Sequence, residues 1–282
     1  MVETVSGDRD KIGPSTLRKR FRRLLHDPNT KEERDQLRTL LYYFDRENWE
    51  VYIFGGLLRD IATHGPFAMP RDIDLVVSGS TLHEIKLDFR NKIEGENRFG
   101  GLSMRFGDWS VDVWPIDETW AFKKHWNCEA TPDELPKTTF LNVEAVVMGL
   151  SPIPGQGRPV YENGFFDALH KRILTINFKK NPYPESCIVR TFITAAKLKY
   201  CIDIDLSYYI YNRTESIDID DLINIQHNHY GRIYLDRRRL EKWIKQVRDH
   251  VNSDKESALL LDGIGTNMQT TILAGNQLNL WR

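Results

Sequence analysis

The stretch Trp49 to Val77, WEVYIFGGLLRDIATHGPFAMPRDIDLVV, constrains this chain more than any other. Its apolar run Val51 to Phe54 has the length of a buried strand, and Gly55-Gly56 ends it before Leu57 to Ala62 resumes with helical spacing. Strand, diglycine turn and helix start form a phosphate cradle. Glycine lets the backbone approach an anion, and unsatisfied amides at the helix start point at it. The run Asp72 to Val77 then reads as a second strand, whose alternation puts Asp72 and Asp74 on one face and Ile73, Leu75 and Val77 on the other. Two carboxylates side by side on a rigid strand make a hard oxygen site suited to Mg²⁺. A phosphate cradle followed by a carboxylate pair implies nucleotide chemistry.

Length and charge bound the rest. A chain of 282 residues buries about three-quarters of its unfolded surface, in one or two domains. The net charge of −1 leaves any nucleic-acid surface to a local patch. The start, MVETVSGDRD, carries no apolar signal core and no run reaches a membrane span, so a cytoplasmic protein without membrane insertion is expected. Cys128, Cys187 and Cys201 form no C-x-x-C pair, consistent with a reduced compartment. His125 with Cys128, and His227 with His229, lack the second pair that a tetrahedral zinc site needs.

Upstream, Leu17, Phe21, Leu24 and Leu25 fall on one helical face amid Arg18, Lys19, Arg20, Arg22 and Arg23, either a solvated face or a contact for a phosphate backbone. Leu37, Leu40, Leu41 and Phe44 mark a second helix. Downstream, the pattern predicts a helix over Leu82 to Ile93 and a hairpin over Phe99 to Ile116, turning at Gly107-Asp108. In that hairpin Asp112 faces with Ser110 and Trp114, opposite Val111, Val113 and Pro115: a charge within an apolar strand. Ala121 to Lys137 reads as a loop, Phe140 to Leu150 as a strand or buried helix, and Ser151 to Pro159 as a Pro- and Gly-rich loop. A helix follows from Pro184 or Glu185, and Leu240, Trp243, Ile244 and Val247 mark one face of a later one. The expected units are residues 1–48 as N-terminal helices, 49–178 as the catalytic domain and 179–282 as a helical domain with a polar tail.

The motifs Gly55-Gly-Leu-Leu-Arg-Asp60, Asp72-Ile-Asp74 and the strand around Asp112 resemble the polymerase-β nucleotidyltransferase superfamily, in particular class II CCA-adding enzymes and bacterial poly(A) polymerases with their GG-x-x-RD, D-x-D and later strand aspartate. Asp167-Ala-Leu-His-Lys-Arg-Ile-Leu174 resembles the segment before the family's helical domain. Glu185-Ser-Cys-Ile-Val-Arg190 resembles its E-D-x-x-R helix, and Thr139-Phe-Leu-Asn142 its F-T-I-N stretch. The likeness covers roughly residues 47 to 200. It implies an α/β fold, a mixed sheet flanked by helices with a further C-terminal helical domain.

It also implies a template-independent enzyme in which Asp72, Asp74 and Asp112 are catalytic and hold two Mg²⁺ ions, with Mn²⁺ as a substitute, for in-line displacement on a triphosphate. Three gathered anions call for cations on electrostatic grounds alone. The implied nucleotide-binding set is Gly55, Gly56, Arg59, Asp60, Asn142, Ser186 and Arg190, with Arg59 a phosphate contact and Arg190 reaching the base. Two departures matter. Ser186 stands at the base-reading Asp, and a hydroxyl lacks a carboxylate's two strong acceptors; Pro136-Lys137-Thr138 replaces the R-R-D linked to ribose recognition. With little chain left for a tRNA-gripping body, the expectation is a specialised enzyme, as in anti-phage defence or oligonucleotide synthesis. Its expected partners are nucleoside triphosphates, a nucleic-acid 3′ end or oligonucleotide product, and an effector protein. The alternatives are synthesis primed on a tail hydroxyl (Thr266, Thr270 or Thr271), tRNA 3′-end addition, a toxin transferring one nucleotide to a protein or tRNA, and an inactive nucleotide-binding module.

Overall fold

The computed structural model describes residues 12–26, 32–46, 49–66, 72–107, 109–125, 129–253 and 257–264. Helices α1 (Pro14–His26) and α2 (Glu32–Arg46) lead into strand β1 (Glu50–Phe54), helix α3 (Gly56–His64) and strand β2 (Asp72–Ser78). Helix α4 (Leu82–Asp88) precedes strands β3 (Ile93–Glu96), β4 (Leu102–Phe106) and β5 (Trp109–Pro115). Helix α5 (Trp120–His125), strands β6 (Val146–Gly149) and β7 (Val160–Glu162), and helix α6 (Phe165–Lys171) follow. Strand β8 (Ile173–Leu174), helix α7 (Pro184–Leu198), strand β9 (Cys201–Ile202) and helices α8 (Ile204–Thr214), α9 (Ile219–Tyr230) and α10 (Arg237–Asn252) come next.

Seven strands form one mixed sheet in the order β3-β4-β5-β2-β1-β6-β7, and β8 pairs with β9 apart from it. Among the described strands of the large sheet only β2 and β5 run parallel. That places the D-x-D strand at the centre, with β1 antiparallel on one side and β5 parallel on the other. Alternation then divides the two faces. Val51, Ile53, Ile73, Leu75, Val77, Val111 and Val113 join the large core under the helices. The opposite face carries a small cluster of Tyr52, Phe54, Val76, Ile116, Phe122, Leu135 and Val147, and beside it the aspartates.

The N-terminal helices pack as their spacing predicts: Leu17, Phe21, Leu24, Leu25, Leu37, Leu40, Leu41 and Phe44 are all buried. Two of the basic side chains on α1 are structural. The Arg18 Nε donates to the Arg158 carbonyl at 2.6 Å, and Arg20 donates to the Ala62 carbonyl near the end of α3. Buried Leu240, Trp243, Ile244 and Val247 confirm the later helical face.

Two local expectations are corrected. The helix from Leu82 stops at Asp88, and Ile93 opens an edge strand. The Thr81–Glu84 capping box starts the helix firmly, but β3 is a four-residue strand, IEGE, whose pairing with β4 decides its state. The segment read as a loop from Ala121 holds part of α5 and a 3-10 turn at Leu135–Thr138, whose Phe122 and Leu135 cover the sparser sheet face. No described helix is long and apolar enough to cross a membrane.

Candidate active site

Sheet register brings the three aspartates together. Asp74 on β2 lies opposite Asp112 on β5, and Asp72, two residues earlier on the same face, lies opposite Ser110. On the other flank Phe54, the residue before the diglycine, lies opposite Asp74. The diglycine turn and the carboxylates therefore meet at one end of two adjacent strands. Asp112 accepts a hydrogen bond from the Ser103 hydroxyl at 2.6 Å. Asp74 is 9% exposed, and burial together with the neighbouring Asp112 and Asp72 charges pushes its carboxyl well above the usual range, against a smaller opposite pull from Arg190.

Gly55 ends β1 with its amide bonded to the Val146 carbonyl at 3.0 Å, and its backbone sits at φ 63°, ψ −111°, a conformation that requires glycine. Its own carbonyl takes the Arg59 amide at 3.1 Å, which sets the helix turning immediately. Gly55, Gly56, Asp74, Ser186 and Arg190 line one cleft with Trp114, Thr119, Phe140 and Tyr230. Trp114 stands edge-on to Phe54 at 6.1 Å and donates from Nε1 to the Thr119 hydroxyl, which holds its ring in the cleft wall.

The other residues of the expected nucleotide-binding set are placed away from the cleft wall. Arg59 is 3% exposed and donates to Asp60 at 2.9 Å and to Glu144 at 2.6 Å. Asp60 also takes Lys197 at 3.0 Å. Burial would raise the Asp60 carboxyl, but Arg59 and Lys197 outweigh it and hold it at about 2. Asn142 is a strut: its side chain donates to the Ile173 carbonyl at 3.1 Å and accepts from the Thr175 amide at 3.0 Å.

Sequence reading missed Glu144. It is 1% exposed on the 3-10 turn Asn142–Glu144, and it holds Arg59 through one carboxylate oxygen and Arg190, at 2.5 Å, through the other. The available signal was the one that found Asp112: a single charge inside an apolar run. The motif reading of α7 also needs one correction. In E-D-x-x-R the aspartate and arginine are three residues apart, whereas Ser186 and Arg190 are four apart. Counted back from Arg190, the aspartate position falls on Cys187, a thiol that burial pushes up to about 12. Cys128 and the threonines of the tail, Thr266, Thr270 and Thr271, lie outside the described residues.

Among the described residues, no three or more His, Cys, Asp or Glu side chains form a ready-made metal cage. The donor chemistry nonetheless suits Mg²⁺, which is typically held by one or two carboxylates together with substrate phosphates and water. Asp74, buried beside two like charges, is the group whose environment calls most strongly for a cation.

No family model matches the sequence, and no curated protein matches it. Solved structures do. A tRNA-processing enzyme in its apo form superposes with a TM-score of 0.53 at 16% identity, over 83% of this chain and 60% of its own. A CCA-adding enzyme in its apo form gives 0.53 at 17% identity, over 73% and 49%. A tRNA nucleotidyltransferase complexed with a primer tRNA and an incoming ATP analogue gives 0.52 at 16%, over 82% and 65%. The fold is that of these tRNA-processing and CCA-adding enzymes. The chain spans about half to two-thirds of the length of these nucleotidyltransferase structures.

Proposed function

We propose that the protein is a template-independent, metal-dependent nucleotidyltransferase that adds nucleotides from a triphosphate to a hydroxyl, in a specialised setting such as anti-phage defence. The observation that carries this reading is the pairing of Asp74 with Asp112 across parallel strands, one residue from the Gly55-Gly56 turn. In this reading Asp72, Asp74 and Asp112 would hold Mg²⁺, which when bound neutralises charge on the triphosphate and lowers the cost of forming the attacking alkoxide. The chain's own part is positional. The amides at the start of α3 receive phosphate oxygens, and the aromatic wall of Phe54 and Trp114 limits water. Arg190, anchored by Glu144, places a fixed positive charge beside Asp74. The CTP, ATP-analogue and tRNA ligands of the structural neighbours support nucleoside triphosphates and a nucleic-acid 3′ end as the substrates here.

The test is incubation of the purified protein with each labelled NTP and dNTP, Mg²⁺ or Mn²⁺, and an oligonucleotide acceptor, with products resolved by size. Extension by one or more nucleotides, absent in Asp74→Asn, is expected. Absence of any transfer to nucleic acid or protein with all eight nucleotides would overturn the proposal.

A further inference from the structure

Arg98 sits in the turn between β3 and β4, which Asn97 fixes by accepting from the Phe99 and Gly101 amides at 3.0 Å each. Its guanidinium lies 4.3 Å from the Tyr183 ring centroid and 5.1 Å from that of Phe99, with Nη1 3.0 Å from His229 Nε2. The β3–β4 turn, the start of α7 and the end of α9 thus converge on one side chain, which lines the same cleft as Asp74 and the diglycine. Among the described residues no carboxylate pairs with it. The groups that act on its charge are Tyr183, Arg190, Tyr230 and Cys187, and burial weakens its hold on its proton. Its Nε is shielded from solvent and meets no acceptor among the described residues. Lys180 lines this cleft too.

This is the reverse of Arg59, whose two carboxylates are built into the fold. A partly desolvated cation held in a defined place without its anion is costly, and an anion from outside removes that cost. A guanidinium presents only donors, in a fork that matches a phosphate. The Gly55-Gly56 turn and the aspartates already provide for the incoming triphosphate.

We infer that Arg98, with His229 and Lys180, forms a phosphate subsite in the cleft, and that the phosphate it takes belongs to the acceptor strand beside its 3′ hydroxyl. The inference rests on the transferase reading for its biological sense, but it is a statement about binding. It makes the acceptor a nucleic acid, as opposed to a protein hydroxyl.

Fluorescence anisotropy of a labelled single-stranded oligonucleotide with the full-length protein, without nucleotide and across a salt series, tests it. Arg98→Gln should weaken binding about 10- to 100-fold, the range for losing hydrogen bonds to a charged group. It should also lower the slope of log affinity against log salt by about 0.7, one single-strand phosphate contact. Arg98→Lys should restore the slope, since a point charge still neutralises a phosphate. Lys180→Gln, at an exposed position, should move affinity and slope in the same direction by less. Unchanged strand binding in Arg98→Gln, with a native melt, would overturn the subsite, as would weaker binding at an unchanged slope, which signifies a base contact. Loss of tripolyphosphate binding in Mg²⁺ with strand binding intact would also overturn it, assigning Arg98 to the incoming nucleotide. Asp74→Asn separates the two readings: it should bind strand like the wild type and lack transfer. A protein that binds strand through Arg98 but shows no transfer in its wild-type form would fail the functional reading alone.

Discussion

Beneath the diglycine turn, Arg59, Asp60, Glu144, Arg190 and Lys197 form a buried network in which each carboxylate meets cations at 2.5 to 3.2 Å. On the open face of the same strands, Asp72, Asp74 and Asp112 gather three like charges, and Arg190, which acts on Asp74, is already bound to Glu144. In the first cluster the fold supplies each carboxylate with its cations. The second, in the proposed reading, is where a cation and its phosphates bind. Both are partly desolvated, and both would read in sequence as conspicuous charges. In the proposed reading the two clusters differ in their role: one ties the fold together and the other receives a ligand.

Removing one carboxylate from each cluster gives the largest contrast. Asp74→Ala or Asp112→Ala should abolish transfer and leave a cooperative melt; full activity in Asp112→Ala would remove that residue from the site. Glu144→Ala should do the opposite in kind. It leaves Arg59 and Arg190 buried without their shared anion, a loss of about 3–5 kcal/mol that urea denaturation would read. A melt unchanged from wild type would show that water replaces Glu144 at no cost.

The two clusters should also respond to pH with opposite sign. Asp60 ionises at about 2 in the folded protein against an ordinary 3.8. Its stabilisation, about 2 kcal/mol, is therefore present above 3.8 and lost as pH falls from there to 2. Asp74 is displaced upward, so its ionisation costs stability as pH rises from 3.8 through its folded value. In metal-free protein at pH 7, Asp74→Asn should therefore raise Tm, by about 2–4 °C per kcal/mol relieved. Mg²⁺ should raise the wild-type Tm and leave the variant's unmoved. A lowered Tm in metal-free Asp74→Asn would contradict the account of crowded anions.

The smallest expected effect is on base choice. Ser186→Asp adds a carboxylate to the cleft one turn before Arg190, and should change the ratio of nucleotides incorporated by a few-fold, on the order of a single exposed charge contact. An unchanged ratio would mean that this turn of α7 does not meet the base.

Much of this was legible along the chain because its signal is local. Alternation in Asp72 to Val77 and in the 99–116 hairpin assigns each side chain to a face, and the helical spacing of Leu17 to Leu25 fixes a buried stripe; both periods come from backbone geometry alone. The diglycine turn is equally local, since positive φ at Gly55 is a property of one residue. Partnership is not local. Whether Arg59 meets a phosphate or Glu144, 85 residues away, depends on where β6 docks against β1. The same holds for Asp112, which becomes a third carboxylate only because β5 runs parallel beside β2 in a register that sets it against Asp74. A sequence states which residues carry charge and which face they share. Packing between distant strands decides which of those charges are neutralised, because Coulomb energy in a desolvated interior depends on separations of a few ångströms that no spacing along the chain encodes.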